Sequence, residues 1–165
     1  KVADLLSRLT LIHDSLPDLK WIQAAHDKEH IKLFEMACLS GNSTLDCPDN
    51  QICLATYETA LLAVGGILDA TRLVMNAEID NAFCAVRPPG HHAEINKAMG
   101  FCYFNNVAIA ARYLQKKWGI KRVGIVDFDV NNGNGTQHIF EDDPTIFYYS
   151  IHTLGRASCR ERVAL

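Results

Sequence analysis

The sequence has no excess of basic residues. Its 16 Lys and Arg against 19 Asp and Glu leave a formal charge of -3, so there is no electrostatic footprint for direct nucleic-acid binding. No apolar run reaches the roughly 20 residues of a membrane span, and no basic stretch precedes an apolar one as a secretory signal would require. The six cysteines (Cys38, Cys47, Cys53, Cys84, Cys102 and Cys159) include no C-x-x-C pair. Cys84 and Cys102 sit inside apolar runs. Reduced core thiols are therefore expected rather than a disulfide framework, in a protein of the cytoplasm or nucleus that is not secreted. Internal repeats, low-complexity tracts and linkers are also missing. The remaining composition, 48% hydrophobic and 21% charged over 165 residues, suits one globular domain with a real core. The chain begins with Lys1 rather than Met, so its natural start is expected further upstream.

Apolar spacing at Val2, Leu5, Leu6, Leu9 and Ile12 predicts a helix over residues 1–16, stopped at Pro17. Residues 19–25 read as a short strand. Asp27 is placed to cap a helix through Ile31, Phe34 and Cys38. Residues 40–51 are rich in turn formers and read as a polar loop. Residues 53–75 form a long apolar helix in which Gly65 and Gly66 cost propensity, so close packing on another element is expected there. The pattern then alternates: a strand over 82–87, a helix over 105–118 with Asn105 at its start and Gly119 past its end, and strands over 122–128 and 145–152. Continuously apolar strands separated by helices predict an α/β fold, with a parallel sheet flanked by helices. Ligands in such sheets sit beyond the carboxyl ends of the strands.

Two polar clusters fall at that edge. In "RPPGHH" the prolines stiffen a corner and Gly90 gives it freedom, so His91 and His92 can face one cavity. Neighbouring imidazoles suit proton transfer near neutral pH. In "VDFDVNNGNG" the apolar strand closes on Asp127 and Asp129, two apart and so on one face, and Asn131 extends the series. The bland alternatives are surface loop histidines for the first cluster and turn chemistry for the second, in which "NNGNG" reads as a turn. A third pattern, "HDKEH" at residues 26–30, has the H-x-x-E-H form of a helical zinc site, with His26 and His30 able to ligate jointly. It needs a third ligand, and nothing in the sequence points to one.

Taken together, "RPPGHHAEINKAMGFCYFNNVAIAARYL", "VDFDVNNGNGTQHIFEDDP" and "YYSIH" resemble the zinc-dependent histone deacetylase family. The likeness is greatest to its class II and bacterial deacetylase-like branch, which includes acetylpolyamine amidohydrolases. The resemblance runs over about residues 21–152 and implies the arginase–deacetylase fold. It implies a metal-dependent amidohydrolase that removes acetyl groups from lysine side chains of proteins or from polyamines, without contacting nucleic acid or membrane. By the same resemblance, His92 is the general base and then the acid, His91 gives electrostatic support, Asp127 orients His91, and Asn134 sits against His92. Asp129 is the first carboxylate ligand of Zn2+. Gly100 and Phe101 wall the acyl-lysine tunnel, and Asp46 is a rim carboxylate for substrate backbone. Asp127, Asp129, Ser150 and Ile151 match a structural site for a monovalent cation, K+, and Phe140 matches part of a second.

The sequence departs from the family where it matters. Asn131 and Asn132 stand where the family pattern has two histidines, the first of them a zinc ligand. The second carboxylate ligand and the residue that polarises the acetyl carbonyl are expected beyond the end of this chain. A catalytic zinc wants three protein ligands, so the chain as written is expected to be inactive, or to be a homologue that only holds acyl-lysine or a partner. His and Asn codons differ by one base, so a sequence error is the other source of Asn131. Residues 155–163, "GRASCRERV", lack periodicity and match one reading frame of a common sequencing adapter. The expected organisation is an N- and C-terminally incomplete deacetylase domain over 1–154 and a non-native, unpacked tail over 155–165.

Overall fold

A computed structural model describes residues 9–152. The tail at 155–165 and the first half of the helix expected over 1–16 lie outside them. Where the rest of that helix was expected, residues 9–16 run without helix. They form a strap across the long apolar helix α3 (Thr56–Met75). Ser15 fixes the strap through its backbone N–H and hydroxyl, which both donate to Asp69 Oδ2 at 3.2 and 2.6 Å. A Cβ at Gly65 would lie 1.7 Å from the Ser15 carbonyl oxygen. The expected close packing is therefore there, and it explains a glycine inside a helix.

Three further expectations are corrected. Residues 19–25 are not a strand: Asp18 accepts a hydrogen bond from the Lys20 amide and starts a short helix, α1 (Leu19–Ile22). The loop over 40–51 contains a small antiparallel hairpin, β1 (Thr44–Leu45) and β2 (Cys47–Gln51), with Asp46 left-handed at φ 60° in the bend. Residues 82–87 pair with no strand among the described residues, and Phe83 is 93% exposed. Apolarity alone does not make a strand without a ladder partner. For the same reason Cys84 is exposed rather than a core thiol, whereas Cys102 is buried as expected.

The remaining elements follow their sequence signals. Helix α2 (Lys28–Leu39) starts after Asp27, whose side chain makes no capping bond. Helix α4 (Asn106–Trp118) is capped by Asn105, which accepts from the Ala108 amide at 3.1 Å, and ends on Gly119 at φ 68°. Strands β3 (Val123–Asp127) and β4 (Ile146–Ser150) are parallel and pair Asp127 with Ser150. Between them lies helix α5 (Asn134–Phe140). The Gly-Asn-Gly sequence therefore opens a helix instead of only turning.

The core gathers where α2, α3 and α4 meet. Phe34 stacks on Tyr103 at 4.9 Å and meets Phe104 edge-on at 5.3 Å. Burial of each such ring contributes roughly 2–3 kcal/mol. One face of the β3–β4 sheet joins this core through Ile125 and Ile146, while Val126, Phe128, Phe147, Tyr149 and Ile151 stay exposed. No helix among the described residues is long and apolar enough to cross a membrane. The architecture is α/β, with a parallel strand pair flanked by helices, as the alternation of elements predicts.

Candidate active site

The two histidines of the Pro-Pro-Gly corner do face each other, with ring centroids 4.1 Å apart. Their loop is held by two helices, through the cap of α4 and through α5. Asn105 Nδ2 donates to the Ala93 carbonyl at 3.1 Å, and the Thr136 amide donates to the His91 carbonyl at 3.1 Å. Each ring then finds a different anchor. His91 Nδ1 donates to Asp127 Oδ2 at 2.9 Å, and His92 Nδ1 lies 2.7 Å from Asn134 Oδ1. Burial presses the His92 ring toward its neutral form, more than its Asn134 hydrogen bond and the nearby carboxylates offset.

Asp127 is the hinge of the site. Burial alone would push its carboxyl up, but hydrogen bonds from His91, the Asp129 amide and Tyr148 hold it below the usual carboxylate range. Tyr148 OH donates to Asp127 Oδ2 at 2.9 Å, and burial raises the phenol well above its ordinary value. Space around this dyad is tight. A Cβ at Gly133 would lie 2.3 Å from Asp127 Oδ2 and 3.0 Å from His91 Nδ1.

The i, i+2 acids are not arranged as a strand face. The strand stops at Asp127. Asp129 follows in a turn, its amide donating to Asp127 Oδ1 at 3.1 Å, and the Asn131 amide donates to Asp129 Oδ1 at 2.7 Å. Short polar side chains that capture the backbone two residues on replace the ladder with successive turns. The Asn131 side-chain NH2 also donates to Asp129 Oδ1 at 3.2 Å. The two residues assigned to zinc are thus bonded to each other. Among the described residues, no three His, Cys, Asp or Glu side chains are grouped to hold a metal. The donor set does not fit the family's zinc. Asn132 is likewise turned inward, giving Nδ2 to Gln137 while its Oδ1 is buried without a partner.

The other assigned residues fall into two groups. Gly100 and Phe101 form the centre of a two-residue turn closed by Met99 and Cys102, with φ of 54° and 66°. Gly100 lies against His92, where a Cβ would meet Cδ2 at 2.5 Å, and Phe101 is presented 59% exposed. Asp46 is engaged, accepting from the Ala98 amide at 2.7 Å. Ser150 and Ile151 are brought to Asp127 by strand register and by the bond from the Ile151 amide to the Asp127 carbonyl. Phe140 is buried beneath Arg112 and lines a cleft shared with Ser150.

The "HDKEH" histidines are not a metal site. His26 Nε2 accepts from the Asn105 amide at 2.8 Å, so its Nδ1 donates to the Ile95 carbonyl, and His30 Nε2 donates to the Tyr103 carbonyl at 2.9 Å. Both rings are buried, and their polar atoms serve the backbone. Sequence reading passed over Tyr148, which sits two residues before Ser150 on the same strand face. It also passed over Glu94 and His138, which carry no spacing signal because only the tertiary fold brings the loop at Glu94 against His138 of helix α5.

The fold and the twin histidine anchors agree with what the chain resembles. A family model described as the histone deacetylase domain matches residues 1–158. Histone deacetylase 5 of Arabidopsis thaliana is 37% identical over 161 residues, covering 92% of this chain and 24% of that protein. Polyamine deacetylase HDAC10 of Rattus norvegicus is 50% identical over 97 residues, 59% of this chain and 16% of that protein. The crystal structure of the HDA15 HD domain matches with a TM-score of 0.84 at 34% identity, over 92% of this chain and 45% of that one. The chain therefore spans less than half the length of each of these proteins. On the histidine pair, its anchors, the sheet that carries them and a family match across nearly its whole length, this chain belongs to the histone deacetylase family.

Proposed function

We propose that the chain carries the family's acyl-amide site with its proton-handling half intact and its metal-holding half degraded. The substrate class is acetyl-lysine in a protein, and the parent reaction is hydrolysis of the acetyl amide. The observation that carries this reading is the pair of adjacent imidazoles on separate side-chain anchors, His91 on Asp127 and His92 on Asn134. Amide hydrolysis needs a base to take a proton from water and an acid to return one to the leaving amine. His92, kept neutral by burial, suits the first task and, once protonated, the second. His91, tied to a carboxylate, supports charge beside it. Gly100 and Phe101 wall the approach, Asp46 belongs to the rim, and Asp127 with Ser150 and Ile151 forms the surroundings for a structural potassium ion.

The metal half is different. Zinc prefers imidazole, thiolate or carboxylate, and Asn131 offers an amide already engaged with Asp129. We therefore expect neither stoichiometric zinc nor turnover from the chain as written. Metal content by mass spectrometry, run beside deacetylation of an acetyl-lysine peptide, tests this. One equivalent of zinc together with turnover would overturn it. Asn131→His supplies an imidazole, but with only Asp129 beside it should restore little zinc binding in this chain, because a catalytic zinc needs three protein ligands. A second reading, an acetylated polyamine as substrate, draws on the likeness to a polyamine deacetylase. Running an acetylated polyamine in the same assay separates the two. On this reading the chain acts in the cytoplasm or nucleus, in keeping with its lack of a disulfide framework among the described residues.

A further inference from the structure

Behind Asn134 stands a carboxylate that the deacetylase reading leaves without a task. Glu94 Oε1 accepts from Asn134 Nδ2 at 2.5 Å. His138 Nδ1 donates to both Glu94 oxygens, at 2.9 and 3.0 Å. The Glu94 side chain is only 17% exposed. Asn134 Nδ2 has one further neighbour, the Met99 sulfur at 3.7 Å, a weak acceptor. The side chains thus run His92, Asn134, Glu94, His138 in one hydrogen-bonded line.

An asparagine amide can be turned by half a circle with almost no change of shape. In one orientation its oxygen faces His92; in the other, its NH2 group does. The choice decides which nitrogen of His92 carries the proton. Facing the oxygen, Nδ1 must be the donor, and the remote Nε2 keeps a lone pair. Facing the NH2 group, Nδ1 must be the acceptor, and Nε2 is protonated and useless as a base. A carboxylate only accepts. Turning the amide would set Asn134 Oδ1 against Glu94 Oε1 at hydrogen-bond range, with two acceptors opposed and nothing between them. Only one orientation survives beside Glu94. His91 needs no such device, since Asp127 is itself a carboxylate in direct contact.

We propose that Glu94 is a positioning residue that sets the tautomer of His92 by holding the amide of Asn134 in one orientation. His138 in turn holds Glu94. The chemical use of the tautomer rests on the reading of His92 as the base, but the tautomer itself can be observed without metal, substrate or turnover. A failed deacetylation assay therefore leaves this proposal standing, and a wrong tautomer leaves family membership standing.

The test is nitrogen-15 NMR of the imidazole rings in the full 165-residue chain. In the unmodified chain His92 should show one pyrrole-like nitrogen, Nδ1, and one pyridine-like nitrogen, Nε2. The opposite assignment would overturn the proposal. In Glu94→Gln the partner can donate as well as accept, so the two His92 nitrogens should move toward averaged positions. An unchanged single Nδ1–H form there would also overturn it. Combining Glu94→Gln with Asn134→Asp places a carboxylate directly on His92, with a side-chain amide behind it, and should return the single Nδ1–H form. Continued averaging would mean that general disorder, not amide orientation, caused the loss, and would count against Glu94. If Glu94→Gln does not fold, the unmodified chain still decides. Nuclear Overhauser contacts from the Asn134 Nδ2 protons to Glu94 and His138 support the proposal; contacts from them to the His92 ring instead sink it.

Discussion

His26 and His30 are each 3% exposed, with ring centroids 5.4 Å apart. His91 and His92 are half-buried, with centroids 4.1 Å apart. The first pair bonds to main-chain groups of residues 95, 103 and 105, far away in sequence. The second bonds to side chains, Asp127 and Asn134. A backbone partner is fixed once the fold is fixed, and it cannot be tuned. A side-chain partner can supply charge, take it away or choose a tautomer. The first pair therefore serves the fold, and the second is the pair to which the proposed function gives the chemistry, though both are two histidines in a short motif.

Removing a ring should separate the pairs most sharply. His26→Ala leaves a cavity and strips the buried Asn105 amide of its acceptor, at a cost of about 4 kcal/mol. His92→Ala removes a half-buried ring and one side-chain hydrogen bond, and should cost about 1 kcal/mol. Chemical denaturation of both variants measures the difference, and equal losses would erase the distinction.

Acid should do the same by another route. Burial, then the neighbouring His30, holds His26 down at about 4 from an ordinary 6.5. Between those values the unfolded chain binds a proton at His26 that the folded chain refuses. Stability is then complete above pH 6.5 and falls as the pH drops, by roughly 3 kcal/mol by pH 4. His26→Gln, which keeps an acceptor for Asn105, should flatten that part of the stability profile.

Gly100→Ala strikes only the second pair. It forces a side chain onto a left-handed residue and against the His92 ring, at about 2 kcal/mol. The His92 ring resonances should shift, while those of His26 and His30 stay in place. Tyr148→Phe is the mildest change. It removes one of the donors on Asp127 and should cost about 1 kcal/mol by thermal or chemical unfolding, with the His91 contact retained.

Legibility from sequence divided along similar lines. Asn105 and Gly119 bracket α4 because capping is local chemistry, and the alternation of apolar strands and helices gave the parallel pair. Residues 19–25 and 82–87 were misjudged because strand and helix propensities overlap in short apolar runs, and only pairing decides. His91, His92, Asp127 and Asn134 could be assigned through the family motif, and the structure joins them. The Asp127, Asp129, Asn131 spacing was seen, but its geometry was not, since a side chain that captures its own backbone breaks the strand. Glu94 and His138 lie 44 residues apart and meet only after the loops close, so no periodicity announces them.

Asp127 carries several duties at once. One carboxylate oxygen serves His91 and Tyr148, the other pins the turn, and its carbonyl receives the Ile151 amide from the neighbouring strand. Asn131, in contrast, makes its hydrogen bonds to Asp129 alone. Decay of such a site therefore has a direction. Position 131 can drift with little penalty to the scaffold, whereas position 127 cannot change without damaging strand, turn and dyad together. Exchanges at position 131 should therefore register in metal binding alone, and exchanges at position 127 in stability as well.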